Sequence, residues 1–309
     1  MKTVGLIGCG AWGKNILRDL LLLKCTVNVV DPDPGSRSQA YQVGASRVLS
    51  HVDDLSPDCD GFVVAVPIPQ LAKECAGLLK HGKPIFSEKT LCLSMEDFNL
   101  LHGLGGSEHL FVMHKWHYHP GIEALRKVAH SERIGKLEEL RTIRHAWVKD
   151  FHGGDVFWTL AVHDLSILKH ILGYIPSPVK TITVIKNNEE LPISFTTAMG
   201  RNPTVTMSIS GRHPEAQAKV SIRGSSGYAE LTDAYADHIN IRNEENEEKV
   251  PIDTTFPLYL ELKEFVEYLH DGPRPQCDLQ SAKEVTQAIL RLEEADRLLN
   301  TKVNKYFEP

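Results

Sequence analysis

The chain has 309 residues, 42% hydrophobic and 24% charged, with a formal net charge of −6. That length suits two domains, each burying a sizeable core. The acidic balance argues against a nucleic-acid or anionic-membrane binder that works by general electrostatics.

The opening MKTVGLIGCG sets a lysine before an apolar stretch, as a short signal peptide does. It runs straight into a glycine-rich turn and a charged helix, with no small-residue cleavage pattern. The apolar run 20–23 is closed by Asp19 and Lys24, too short to span a bilayer. Strand-like runs at 3–8, 26–31, 61–66, 84–87 and 110–113 then alternate with helical stretches at 12–24, 36–43, 70–80 and 94–104. Continuous apolar strands in such alternation predict a doubly wound parallel α/β sheet covered on both faces. Six cysteines (Cys9, Cys25, Cys59, Cys75, Cys92 and Cys277) form no CxxC pair, and their scatter fits reduced thiols of a cytoplasmic protein.

Gly8, Gly10 and Gly13 stand in the G-x-G-x-x-G spacing between the first strand and the first helix. The first glycine makes a tight turn, the second lets backbone approach a pyrophosphate, and the third permits close helix–strand packing. The helix that starts there aims N–H groups and a positive dipole end at the phosphates. Ala11 and Trp12, within the turn, belong to the same expected cofactor site. The second strand ends in Asp31, 23 positions after Gly8, where a carboxylate accepts from both adenosine-ribose hydroxyls and repels a 2′-phosphate. NAD is therefore expected, with NADP less favoured, although Arg37 lies close enough to serve a 2′-phosphate.

After about His119 the pattern changes, and the expected boundary divides a Rossmann domain, 1–118, from an α+β domain, 119–309. A helix at 121–131 precedes a strand-like segment at 136–148 and a helix at 156–172. Between 179 and 250 come short strands, with Val205, Met207 and Ile209 alternating with threonines and serines, as in an antiparallel sheet covered on one face. The polar run 243–249 reads as an exposed hairpin or loop, and helices at 258–270 and 279–300 close the chain. His114, His117 and His119 crowd the link between the domains without a matching outside ligand set. No metal is expected there, and the imidazoles are read as lining or flanking the cleft.

The glycine turn, Asp31, VAVPIP at 64–69, FSEKT at 86–90, WTLAVHDLSILKHILG and PLYLELKEFVEYLHDG together resemble the glucose–fructose oxidoreductase / inositol dehydrogenase (Gfo/Idh/MocA) family over nearly the whole length. The resemblance implies a Rossmann domain followed by a large open, mostly antiparallel sheet, often paired between subunits. It implies an enzyme moving hydride between nicotinamide and a carbinol or ketone carbon of a sugar, the W-x-L-A-x-H-D-x-S pattern looking most like members acting on nucleotide-linked amino sugars. Lys89, of the motif the family writes E-K-P, would hold the reacting oxygen, and His163 would exchange its proton. Pro67 and Glu88 would flank the nicotinamide half.

Thr90 replaces the motif's proline, Gln70 stands where a histidine is frequent, and His117 stands where an arginine precedes the aromatic. The weightiest departure is Thr159, where members commonly carry Asp one turn before the histidine; Asp155, eight residues from His163, lies about 12 Å away along a regular helix and is a poor substitute. Two alternatives therefore stand beside the sugar dehydrogenase: a catalytically altered or inactive dinucleotide-binding protein, and a dehydrogenase of a non-sugar substrate such as an imine or cyclic polyol. A homodimer or homotetramer is expected, with no nucleic-acid or membrane partner.

Overall fold

The computed structural model describes residues 1–55, 58–151 and 154–307, with side chains as far as 298. Five of the strands the sequence announces, β1 (Thr3–Ile7), β2 (Thr26–Val30), β4 (Gly61–Val64), β5 (Ile85–Ser87) and β6 (Leu110–Val112), lie in one parallel sheet. A sixth, β3 (Arg47–Leu49), joins at the edge, giving the order β3-β2-β1-β4-β5-β6. That order reverses direction beside β1, and open α/β sheets bind ligands at the carboxyl ends of strands flanking such a switch point. The helices between the strands are α1 (Gly13–Leu22), α2 (Pro34–Val43), α3 (Ile68–Leu79), α4 (Met95–Gly103) and the short α5 (Gly106–His109). Two apolar clusters cover the sheet, one built on Leu6, Ile16, Leu20 and Val27, the other on Phe62, Leu71, Leu78 and Leu110.

The second sheet has eight strands in the order β14-β13-β12-β11-β7-β10-β9-β8. They are β7 (Leu137–Trp147), β8 (Val179–Lys186), β9 (Pro192–Met199), β10 (Thr204–Ser210), β11 (Arg212–Gly224), β12 (Gly227–Leu231), β13 (His238–Asn243) and β14 (Glu247–Pro251). Only β7 and β10 pair in parallel; every other neighbouring pair is antiparallel. The polar run falls in the β13–β14 hairpin, whose outer strand carries Glu247, Glu248 and Lys249, charges that discourage edge-to-edge pairing. Helices α6 (Pro120–Ala129) and α7 (Val162–Leu172) pack on this sheet. Val205, Met207 and Ile209 of β10 are buried, whereas Thr206 and Ser208 face a hollow of about 350 Å³ that Thr183 and Thr196 also line.

The chain divides differently from the expected single boundary at 118/119. One compact unit holds Met1–Lys115 together with Phe256–Thr286, and the other holds Trp116–Thr255 with Gln287–Pro309. The cause is α8 (Pro257–Leu269), which packs against α1 and places Leu258, Leu262 and Phe265 in the same core as Leu6 and Ile16. Phe265 stacks on Phe86 of β5 with ring centres 5.0 Å apart. The last helix, α9 (Leu279–Phe307), begins in the first unit and ends in the second. All six cysteines are buried and none is in a disulfide, and no helix among the described residues is long and apolar enough to cross a membrane.

Glu261 interrupts the apolar face of α8. It is 1% exposed, with Oε2 lacking a hydrogen-bond partner. Burial, reinforced by the neighbouring Glu88 carboxylate, pushes its carboxyl well above the ordinary range, while Lys115 pulls the other way. An unfolded glutamate ionises at lower pH than this folded one. The site therefore destabilises the fold increasingly as pH rises from the ordinary carboxyl range toward the raised folded value. Glu261→Gln should raise Tm by several degrees near neutral pH, with the gain shrinking as pH falls to the ordinary carboxyl range; thermal melts across that range check it. A second prediction comes from the half-covered polar face of the eight-stranded sheet: light scattering should give a dimeric or tetrameric mass at micromolar concentration, and a monomeric mass would contradict it.

Candidate active site

β1 ends at Ile7, and Gly8 turns the chain with φ at 89°. A Cβ on Gly8 would lie 2.5 Å from the Ala65 carbonyl oxygen, and one on Gly13 would lie 2.3 Å from the Gly8 oxygen. Gly10 differs: nothing stands within 4 Å of a Cβ placed there. Two glycines are thus required by contacts within the protein, and the third keeps backbone open to whatever approaches the N-terminus of α1. Ala11 and Trp12 lie exposed on this turn.

Asp31 follows the last residue of β2 and is 7% exposed. Its Oδ2 accepts from the Cys9 N–H at 2.7 Å and its Oδ1 from the Asp33 N–H at 2.9 Å. The carboxylate is therefore clamped to the backbone of the glycine turn, and each oxygen keeps further acceptor capacity. The Arg37 guanidinium donates to the Asp31 and Pro32 carbonyls, each at 2.8 Å. It is engaged in closing the loop before α2.

The cofactor-site residues named from the sequence all follow carboxyl ends of strands of the parallel sheet. Pro67 caps α3 after β4, and Glu88 and Lys89 follow β5. Trp12 Nε1 donates to Glu88 Oε1, so the glycine turn and the Glu88–Lys89 segment meet directly. Glu88 Oε2 accepts the Lys89 N–H at 3.1 Å, and the Lys115 ammonium lies 5.0 Å from the centre of the Trp12 ring. Burial pushes the Glu88 carboxyl up, opposed by the Lys89 charge and the Trp12 hydrogen bond. The Lys89–Thr90 peptide is cis, and Thr90 is buried.

His163 belongs to the second unit, where it is half-buried in the first turn of α7. The expected regular helix from 156 is instead a π-helical turn, Phe157–Ala161, continued by α7. The wider turn offsets positions four apart, so Asp155, Thr159 and His163 do not form the even stripe a regular helix would give. Asp155 caps the turn, its Oδ1 accepting from the Phe157 and Trp158 N–H groups at 2.8 and 3.3 Å. The Thr159 hydroxyl donates to the Phe151 carbonyl at 3.2 Å. Next to His163, fully buried Asp164 accepts from Arg144 Nε at 2.5 Å, and the guanidinium lies 4.4 Å from the Trp116 ring centre.

The three crowded histidines separate into different tasks. His119 caps α6, its Nδ1 accepting from the Gly121 N–H at 3.0 Å and its Nε2 donating to the Ala234 carbonyl at 3.1 Å. The His117 ring packs 4.7 Å from that of His170, whose Nε2 lies 3.1 Å from Glu123 Oε2. Hydrogen bonds from Arg126 hold the Glu123 carboxyl down to about 2. Among the described residues no group of three or more His, Cys, Asp or Glu side chains is placed to hold a metal ion.

Sequence reading missed Glu261 and the Arg144–Asp164 pair. Glu261 had a signal, since it lies among Leu258, Leu262 and Phe265 on the helical period. Arg144 and Asp164 had none, because only the folded sheet brings β7 against α7.

No family model matches the chain. It is 28% identical over 185 residues to an inositol 2-dehydrogenase of Burkholderia multivorans, covering 55% of this chain and 54% of that one. It is 25% identical over 208 residues to a 2,7-anhydro-N-acetylneuraminate hydratase of Escherichia coli, covering 61% and 53%. The chain thus spans about half the length of the curated relatives it matches. The structure superposes on a UDP-N-acetylglucosamine 3-dehydrogenase of Acidithiobacillus ferrooxidans with a TM-score of 0.85 at 21% identity, over 95% of this chain and 97% of the other. Other solved structures with this fold are complexes with NAD+, NADH or NADP. The chain is thus similar in sequence, over more than half its length, to an inositol 2-dehydrogenase and an anhydro-sugar hydratase, and over 95% of its length it shares the fold of a nucleotide-sugar dehydrogenase.

Proposed function

We propose that the protein is an NAD-dependent oxidoreductase acting on a hydroxyl or ketone carbon of a sugar or nucleotide-linked sugar. The observation that carries this reading is the clamp of Asp31 onto the glycine turn, beside a backbone left open at Gly10. The two together suit an adenosine ribose and a pyrophosphate. Arg37, turned onto backbone carbonyls, supports NAD over NADP. Gly8, Gly10, Ala11, Trp12 and Gly13 would hold the adenosine and pyrophosphate side, with Pro67 and Glu88 beside the nicotinamide. Bound NAD supplies the hydride acceptor.

The chain's own residues would manage the proton and the charge. Lys89, at the carboxyl end of β5, has an ammonium suited to stabilising alkoxide character on the reacting oxygen. His163 is suited to exchanging the hydroxyl proton, since an imidazole can both accept and donate one. A second reading, a dinucleotide-binding protein with weak or no turnover, is favoured by Thr159 and Asp155. The threonine brings no charge to the turn before His163, and the aspartate is committed to capping.

Lys89→Ala and His163→Ala should each lower kcat by about a hundredfold or more, with NAD affinity nearly unchanged. Steady-state kinetics on one accepted sugar, beside calorimetric NAD titration, checks this, and turnover at the wild-type rate in both variants would remove the assignment. Asp31→Ala should reduce the preference for NAD over NADP in the same titration. Thr159→Asp places a carboxylate near His163 and favours the imidazolium. The limb of the pH–rate profile that needs neutral imidazole should move to higher pH.

A further inference from the structure

The second unit holds an arginine set against two aromatic rings. Arg212 opens β11, and its guanidinium carbon lies 5.4 Å from the centre of the Phe151 ring and 5.9 Å from that of Trp147. Phe151 is buried, whereas Trp147 is 61% exposed. Arg212 donates to its neighbour's carbonyl, Gly211 O, at 3.3 Å, and among the described residues no carboxylate lies within ion-pair distance of it. Arg212 and Trp147 are cross-strand partners, and the ladder between β7 and β11 is broken immediately beyond them, between Arg212 and Gln217. Bulges of this kind re-aim side chains at the rims of sheets.

The group is tied to the helix that carries His163. Phe151 presses on Gly211, where a Cβ would lie 2.6 Å from its ring, and its carbonyl accepts the Thr159 hydroxyl. Trp147, Arg212, Phe151 and Thr159 therefore form one chain of contacts that ends in the turn before His163. A lone exposed tryptophan needs no explanation. An exposed indole beside a guanidinium that has no carboxylate within ion-pair distance among the described residues presents two recognition elements at once. The indole offers a stacking face for a planar base, and the guanidinium fork matches phosphate oxygens.

We infer that Trp147 and Arg212 hold the nucleoside diphosphate half of a nucleotide-sugar substrate, the base against Trp147 and the diphosphate on Arg212. This rests on the reading of His163 as a substrate-side residue, and it decides between the substrate classes left open above. A free cyclitol has neither a planar ring nor an anion to place there.

Calorimetric titration of the full chain with UDP, uridine, inorganic pyrophosphate and myo-inositol tests it. UDP should bind more tightly than uridine or pyrophosphate alone. Trp147→Ala and Arg212→Gln should each weaken UDP binding about tenfold or more. Arg212→Lys should restore part of the loss, because it keeps the charge but not the fork. NAD affinity and Tm should not change, which separates lost recognition from lost folding. No UDP binding at millimolar concentration, or wild-type UDP affinity in both Trp147→Ala and Arg212→Gln, overturns the inference. Turnover of myo-inositol without UDP binding would sink it while leaving the oxidoreductase reading intact. UDP binding lost in the variants, in a protein that oxidises no sugar, would support it and sink that reading.

Discussion

The contact on which the first unit depends is the pressing of Gly8 and Gly13 onto neighbouring backbone. A side chain at either position would stand within 2.5 Å of a carbonyl oxygen, closer than any side chain can approach. Because both are glycine, α1 starts directly above the end of β1, close to β4, and the Cys9 N–H reaches Asp31 at the end of β2. Trp12, carried on the same turn, reaches across to Glu88 beyond β5. Four segments from different strand ends thus converge because one turn is tight. An alanine at Gly8 would add the strain of a left-handed backbone to the collision.

Charge is arranged differently in the two units. The first gathers two carboxyls, Glu88 and Glu261, with Lys89 and Lys115, and burial opposes the ionisation of both acids. Both acids are pushed to hold their protons past the ordinary carboxyl range, and the lysines oppose that push. The second unit instead buries a complete ion pair, Arg144–Asp164, under the Trp116 ring. A buried pair of this kind adds little net stability over an apolar replacement, but losing one partner leaves an uncompensated charge. Its effect is to hold α7 against β7 in one register, and His163 is the neighbour of Asp164.

Much of this was legible because apolar period and glycine spacing report directly on backbone. β1, β2, β4, β5 and β6 are buried almost throughout, so their runs stand out, whereas β3 is three residues long and half-exposed and leaves little trace. The return of α8 to the first unit was not legible, since an amphipathic helix announces that it has a buried face and not which sheet receives it. The π turn was hidden for a related reason. Phe157, Leu160 and Ala161 keep an apolar spacing that a regular helix satisfies equally well, and the wider winding lies in the backbone of the turn alone.

That bond gives Thr159 a physical role beyond the loss of a carboxylate. A hydroxyl can donate to the Phe151 carbonyl; an ionised aspartate at the same place cannot, and its charge would face the carbonyl dipole. The threonine therefore ties the segment after β7 to the turn before His163, and through Phe151 it also steadies Arg212. A chain that carried aspartate at 159 could place charge near His163 only by releasing this tether. Thr159 and the aromatic–guanidinium group are then two ends of one arrangement, in which a tethered backbone stands where the family that the sequence resembles commonly carries a carboxylate.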